Sequence, residues 1–259
     1  MCGILGIWNL IGKPIKPDLL SVMNNIQRHR GPDDEGYLLV NTMNGMIKNC
    51  YGHDTIPQLK KSLESIQIDF IADLAFGFRR LSIIDLSDQG HQPMRDASGR
   101  YWIIFNGEVY NFPEIRSELA AHGFHFRSGT DTEVILYSYI YWGAECLHRF
   151  NGMWAFCIYD AMERKLFCSR DRFGIKPFYY IYKPGEIFAF ASEIKVLLHL
   201  ISFEPEPSSI YDYFSSGITN HNSKTFFKDI QQLMPGNKLE IKENQLTISK
   251  YYKIPYNRN

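Results

Sequence analysis

Four short segments in the second half of the chain, 154–159, 166–169, 178–182 and 187–191, are aromatic or β-branched and are separated by turn residues. Their length and composition predict consecutive antiparallel strands. An apolar run at 2–8, carrying Gly3 and Gly6, predicts a buried strand, and runs at 74–78 and 101–105 predict two more. Between these lie helical patterns. Asp18 offers an N-cap to a helix with Leu19, Met23 and Ile26 on one face, closing near His29-Arg30-Gly31-Pro32-Asp33. Pro113 and Gly123 frame a helix through Ile115 and Leu119, and another begins near Asp131 with Val134, Ile135 and Ile140 inward. Ser192 is expected to cap a short helix through Val196 and Leu197. Residues 41–73 are polar and weakly periodic, which predicts a surface insertion. The order of elements implies a layered α+β domain over 1–204 and a connector over 205–259.

The 259 residues suit one large domain, and 18 Phe, 16 Tyr and 4 Trp imply a heavy core. Lys and Arg total 28 against 28 Asp and Glu, so the charge offers no support for a nucleic-acid-binding surface. No apolar run nears the roughly 18 residues needed to span a bilayer, and the start lacks the basic and apolar regions of a secretion signal. Five cysteines, an odd number without a C-x-x-C pair, argue against a disulfide framework or a zinc cluster and for a reducing cytoplasm. His122 and His125, the closest histidine pair, follow a helix end as a surface feature, so no metal is assigned.

No phosphate loop, G-x-G-x-x-G, H-E-x-x-H or Ser-Gly-Gly-x-Asp-Ser segment is present. Cys2 is the exceptional residue. A small second residue normally permits removal of the initiator Met, which would leave a thiol and a free α-amine on one residue. An α-amine with a pKa of roughly 7.7–8.0 is partly unprotonated near neutrality and can take the thiol proton. Read singly, the other candidates have plainer roles. Arg80 beside Arg79 is a charged surface pair, Asn106-Gly107 is a type I′ hairpin turn, Asp131 is a helix cap, and Cys50, Cys146, Cys157 and Cys168 are core or insertion thiols.

The order in which these residues occur is more specific than any one of them. Cys2-Gly3-Ile4, Arg30-Gly31-Pro32-Asp33, Arg80-Leu81-Ser82-Ile83, Gly90-x-Gln92-Pro93-Met94, Asn106-Gly107-Glu108-x-Tyr110-Asn111 and Gly129-x-Asp131-x-Glu133 come first. Asn151-Gly152-Met153-Trp154-Ala155-Phe156, Arg170-Asp171-Arg172-Phe173-Gly174-Ile175-Lys176-Pro177 and Ala191-Ser192-Glu193-Ile194-Lys195 follow. Over about residues 2–200 the set resembles the glutaminase domain of class II glutamine amidotransferases, specifically that of glutamine-hydrolysing asparagine synthetases.

The resemblance implies an N-terminal-nucleophile hydrolase fold, a four-layer αββα sandwich of antiparallel sheets. It implies Cys2 as nucleophile, with the Asn106 side chain and the Gly107 N–H as oxyanion hole. Arg80 would hold the α-carboxylate of L-glutamine, and Asp131 its ammonium, aided by Glu108 and the backbone of Ile83 and Ile84. The stretch 170–177 is expected as scaffold. No cofactor is expected for this half; ATP and Mg²⁺ belong to a partner synthetase domain or subunit that accepts the ammonia, and a homodimer is compatible with this reading. The insertion at 41–73 is longer than the family usually carries. A glutamine-sensing subunit without turnover, or another N-terminal-cysteine amidase, is the alternative.

Overall fold

The computed structural model describes residues 1–255, and its organisation follows from strands that are buried on both faces. The chain runs β1 (Gly3–Asn9), α1 (Pro17–Ile26), β2 (Asp34–Asn41), β3 (Met46–Tyr51), α2 (Pro57–Lys60), β4 (Glu64–Ser65), β5 (Leu74–Arg80), β6 (Met94–Arg95) and β7 (Tyr101–Val109). It continues with α3 (Phe112–Ala121), α4 (Asp131–Trp142), α5 (Cys146–Arg149), β8 (Gly152–Asp160), β9 (Lys165–Arg170), β10 (Tyr179–Lys183) and β11 (Ile187–Ala191). The last elements are α6 (Ile194–Leu197), α7 (Pro207–Ser216), β12 (Gln231–Gln232), β13 (Asn237–Lys242) and β14 (Gln245–Lys250). An eight-stranded sheet has the order β12-β10-β11-β1-β5-β2-β3-β4, and a six-stranded sheet the order β14-β13-β9-β8-β7-β6.

Strand side chains alternate between faces, and here the alternation sorts residues into three cores. Ile4 and Trp8 of β1, Phe76 and Phe78 of β5, and Phe188 and Phe190 of β11 meet Trp102, Ile104, Cys157 and Tyr159 of the six-stranded sheet. The odd-numbered Leu5, Ile7 and Ala75 face the other way, onto Leu20 and Met23 of α1 and Val196 of α6. On the far side, Ile103, Phe105, Trp154 and Phe156 pack on α3, α4 and α5 through Leu119, Val134 and Leu147. Helix, sheet, sheet, helix is the four-layer arrangement that the resemblance implies.

Several local expectations change. The four strands of the second half are not one consecutive meander. β8 pairs with β9 and β10 with β11, each antiparallel, but the chain crosses from one sheet to the other between β9 and β10. Asp18 lies inside the first turn of α1, which starts at Pro17 after Lys16. Ser192 does not cap α6; its Oγ accepts the Ile4 N–H at 3.0 Å and pins the start of β1. The stretch 41–73 is more than a surface loop, because β3 and β4 extend the eight-stranded sheet and bury Cys50 and Ile66.

Residues beyond 205, expected as a connector, complete both sheets. β12 pairs with β10 and β13 with β9. Leu233, Leu239 and Ile241 are buried between the sheets. The Arg170 guanidinium ties the end of β9 to this segment by donating to the Leu233 carbonyl at 2.7 Å and the Gln232 side chain at 3.2 Å. Residues 256–259 of the expected connector lie outside the described residues.

Because Leu239 is fully buried in the core between the sheets, Leu239→Ala is expected to destabilise the whole domain by about 2–5 kcal/mol. Urea denaturation checks this. A loss below about 1 kcal/mol would make the segment an appendage.

Candidate active site

The alternation that builds the inner core also delivers reactive groups to its open end. Cys2 continues the inward series of Ile4 and Trp8 and packs against that core. Arg80 continues the series of Phe76 and Phe78, while Arg79, one residue earlier, points outward. There Arg79 is neutralised by Glu35 at 2.9 Å and Asp54 at 2.7 Å. Asn106 and Glu108 continue the series of Trp102 and Ile104. Cys2, Arg80, Ile83, Ile84, Asn106, Gly107, Glu108 and Asp131 all line one cavity of about 290 Å³, so every residue assigned a role from the sequence converges there.

Asn106-Gly107 is not a hairpin turn. The pair sits within β7, opposite Ala155 and Trp154 of β8. Backbone direction alternates along such a ladder. The Phe105 N–H is taken by Gln92 Oε1 at 2.6 Å and the Val109 N–H by Asp131 Oδ2 at 2.9 Å. Trp154 directs both its N–H and its carbonyl to Asp171, away from β7. Gly107, midway between Phe105 and Val109, therefore turns its N–H to the same open edge, where the cavity lies. A side chain at 107 would strike the Met153 carbonyl and the Trp154 backbone. Asn106 is 1% exposed, and its Nδ2 is buried without a hydrogen-bond partner. A buried amide donor left unpaired is costly, and Asn106 lines the same cavity as Gly107, whose N–H turns to that open edge.

Arg80 is 6% exposed, and no carboxylate lies within 4.0 Å of it among the described residues. Its guanidinium packs against Gly90, where a β-carbon would collide with it. It donates to the Asp85 carbonyl and, at 2.7 Å, to the Ser87 carbonyl. Two neutral carbonyls orient the fork without neutralising it, and N–H groups remain for an anion. Asp131 is the complementary charge. Thr130, not Asp131, caps α4 by accepting the Glu133 N–H, which leaves Asp131 to the cavity. Burial pushes the Asp131 carboxyl up to about 6, with Glu108 acting in the same direction and the N–H groups of Val109, Asp131 and Thr132 opposing.

The Cys2 thiol accepts the Leu81 N–H at 3.4 Å, and the Arg30 Nε donates to the Cys2 carbonyl at 3.0 Å. Burial raises the thiol pKa; the Leu81 N–H, the terminal amine and Arg80 oppose it. Met1 precedes Cys2 here, so the α-amine belongs to Met1, and burial holds it below its usual 8.0.

Arg30, Gln92 and Lys176 also shape the site, and sequence reasoning assigns them no role there. Gln92 links the Phe105 N–H to Thr132 Oγ1, which its Nε2 reaches at 3.1 Å. Lys176 belongs to the stretch read as scaffold, yet it lines the cavity. Its motif is visible in the sequence, but periodicity does not tell which loop residue turns inward.

A family model described as a glutamine amidotransferase domain matches residues 65–252. The chain is 36% identical over 244 residues to a putative glutamine-hydrolyzing asparagine synthetase 2 of Methanocaldococcus jannaschii, covering 82% of this chain and 41% of the relative. It is 37% identical over 260 residues to glutamine-hydrolyzing asparagine synthetase 3 of Bacillus subtilis, covering 98% and 37%. The chain thus spans about two fifths of the length of these curated relatives. Among solved structures, glutamine phosphoribosylpyrophosphate amidotransferase from B. subtilis superposes with a TM-score of 0.71 at 18% identity, over 97% of this chain and 49% of that one. A class-II glutamine aminotransferase domain protein from Silicibacter pomeroyi gives 0.53 at 13% identity, over 97% and 100%. These two support the fold.

An acid whose pKa is higher folded than unfolded weakens the fold as pH rises between the two values. For Asp131 that window runs from about 3.9 to about 6. Asp131→Asn removes the titration. The variant is expected to be more stable than the parent at pH 7.5, by at most about 3 kcal/mol, with the advantage vanishing near pH 4. Urea midpoints at both pH values check this; a variant less stable at pH 7.5 would show that the charge is compensated.

Proposed function

The chain belongs to the glutamine amidotransferase domain family, and from that membership we propose that it hydrolyses L-glutamine through a thioester on Cys2 and passes the ammonia to an asparagine-forming site. Once Met1 is removed, the Cys2 nitrogen becomes a primary amine beside the thiol and takes its proton. The thiolate attacks the side-chain carbonyl carbon, and the C=O electron pair moves to oxygen, facing Asn106 Nδ2 and the Gly107 N–H. Collapse of this intermediate breaks the C–N bond, and the protonated amine gives its proton to the departing ammonia. Water then cleaves the thioester, releasing glutamate and the thiol.

The observation that carries this reading is the set of complementary groups lining one cavity. A guanidinium with no counter-charge, a buried carboxyl, a thiol and an unpartnered amide donor match the carboxylate, ammonium and carbonyl of one free amino acid. An amidase for other substrates would need the thiol and the amide but not Arg80 and Asp131. A sensor without turnover would not need the unpartnered donor of Asn106.

The names of the relatives supply asparagine synthesis as the destination of the ammonia. The family resemblance adds the rest of the proposal: aspartate is the acceptor, activated with ATP and Mg²⁺ on a partner synthetase domain or subunit, while the glutaminase half needs no cofactor. Five free cysteines support a reducing cytoplasm as the setting of the reaction; among the described residues no helix is long and apolar enough to cross a membrane. With a synthetase portion supplied, glutamine is expected to replace free ammonia as nitrogen donor in asparagine formation. Equal asparagine yields with and without glutamine would refute the coupling.

Glutamate release by purified variants tests the glutaminase step. Cys2→Ala is expected to abolish it. Asn106→Ala is expected to lower kcat by roughly 10²–10³ with little change in KM. Arg80→Lys keeps the charge but loses the planar fork, so it is expected mainly to raise KM. Unchanged kinetics in Arg80→Lys and Asn106→Ala would remove both from the pocket.

A further inference from the structure

Among the described residues, Lys176 is the one basic side chain lining the cavity whose charge has no use in the scheme above. It is 5% exposed and lines the same cavity as Cys2. Its backbone is fixed on both sides. The Lys176 N–H donates to Asp171 Oδ2 at 2.9 Å, and its carbonyl accepts from Arg170 Nε at 2.8 Å. Asp171, fully buried, also gathers the N–H groups of Trp154, Phe173 and Ile175. The loop is thus held rigid against the end of β8. The ammonium has neither a carboxylate within 4.0 Å nor a hydrogen-bond acceptor among the described residues. A buried lysine is rarely left unpaired.

We propose that Lys176 is a positioning residue for the Cys2 chemistry, its unpaired ammonium stabilising the thiolate and holding the neighbouring terminal amine in its neutral, proton-accepting form before attack. The proposal rests on the reading of Cys2 as nucleophile. The other cations facing Cys2 are Arg30, on the turn after α1, Arg80 of β5 and the terminal amine. The facing anions are Asp131 of α4 and Glu108 of β7, with Asp33 and Asp85 on the loops beside them. Arg30 is already spent on the Cys2 carbonyl and on Glu193 at 3.1 Å, and Arg80, which also lowers the thiol pKa, is given to the substrate carboxylate in the scheme above. Among the described side-chain cations facing Cys2, Lys176 is the one that neither a protein partner nor the substrate claims. The electrostatics agree in sign at the Met1 amine that now stands beside Cys2: burial lowers its pKa most and Arg30 and Lys176 lower it further, against Cys2 and Asp33. Burial and Arg30 lower that of Lys176 itself, against the pull of Cys2, Asp171 and Glu108.

The test reads Cys2 directly, without glutamine. Cys50, Cys146, Cys157 and Cys168 are fully buried, so iodoacetamide labelling of the folded chain, followed as the mass of the N-terminal peptide, reports Cys2. In Lys176→Met the rate–pH curve is expected to move to higher pH. A curve displaced by one pH step of tenfold in proton concentration labels about tenfold more slowly below its midpoint. Lys176→Arg, which keeps the charge, is expected to overlay the parent. Lys176→Gln provides a second neutral variant should the methionine chain fail to fold. A neutral variant whose curve overlays the parent would overturn the proposal, as would an arginine variant displaced as far as the neutral ones. Glutamate release separates the two claims: a displaced labelling curve in a chain that never releases glutamate would refute the proposed function and leave the role of Lys176 standing.

Discussion

The face-to-face packing of the two sheets is the constraint on which everything else depends. Once Ile4, Phe76, Phe78, Trp102 and Ile104 are committed to the core between the sheets, strand geometry leaves no freedom in where the next residues along each strand point. Cys2, Arg80 and Asn106 are simply the next inward positions along the lines of β1, β5 and β7. A slip of one residue in any of these strands would turn its reactive group outward, as the contrast between Arg79 and Arg80 makes plain.

The site so formed is electrostatically incomplete. Arg80, Asp131 and Lys176 are buried without a counter-charge within 4.0 Å among the described residues, and the buried Asn106 amide lacks a hydrogen-bond partner. Their supports are neutral or indirect: carbonyls for Arg80, backbone N–H groups for Asp131, an anchored loop for Lys176. A fold tolerates such groups when a large core elsewhere outweighs them, and the three apolar layers here are dense in fully buried aromatic side chains. Unsatisfied groups concentrated in one cavity are the physical mark of a place kept ready for a ligand.

Much of this is legible in the sequence, for identifiable reasons. Short aromatic strands, the Pro113 to Gly123 helix and the helix from Asp131 follow from local composition and lie close to their expected places. The convergence of Cys2, Arg80, Asn106, Gly107 and Asp131 follows from the ordered motifs, since no local rule joins positions 2 and 131. What escapes is non-local. The crossing between sheets after β9 leaves no trace in the segments themselves. The tail reads as a connector because short strands such as Asn237–Lys242 mix Lys and Glu with the few apolar residues that face the core. Ser192 and Asp18 have the residue types that favour caps, yet a strand claims one and a preceding proline displaces the other. Lys176 is indistinguishable from the rest of its loop by local rules, since only the crossover and Asp171 decide that it faces the cavity.

Trapping the acyl-enzyme tests the central claim most directly. The purified chain is mixed with glutamine, quenched in acid within a turnover and digested, and the peptides are weighed. The expected result is a glutamyl adduct on a peptide that begins at Cys2, with Met1 gone. An adduct on any other residue, or full glutamate release from a chain that demonstrably retains Met1, would contradict the account.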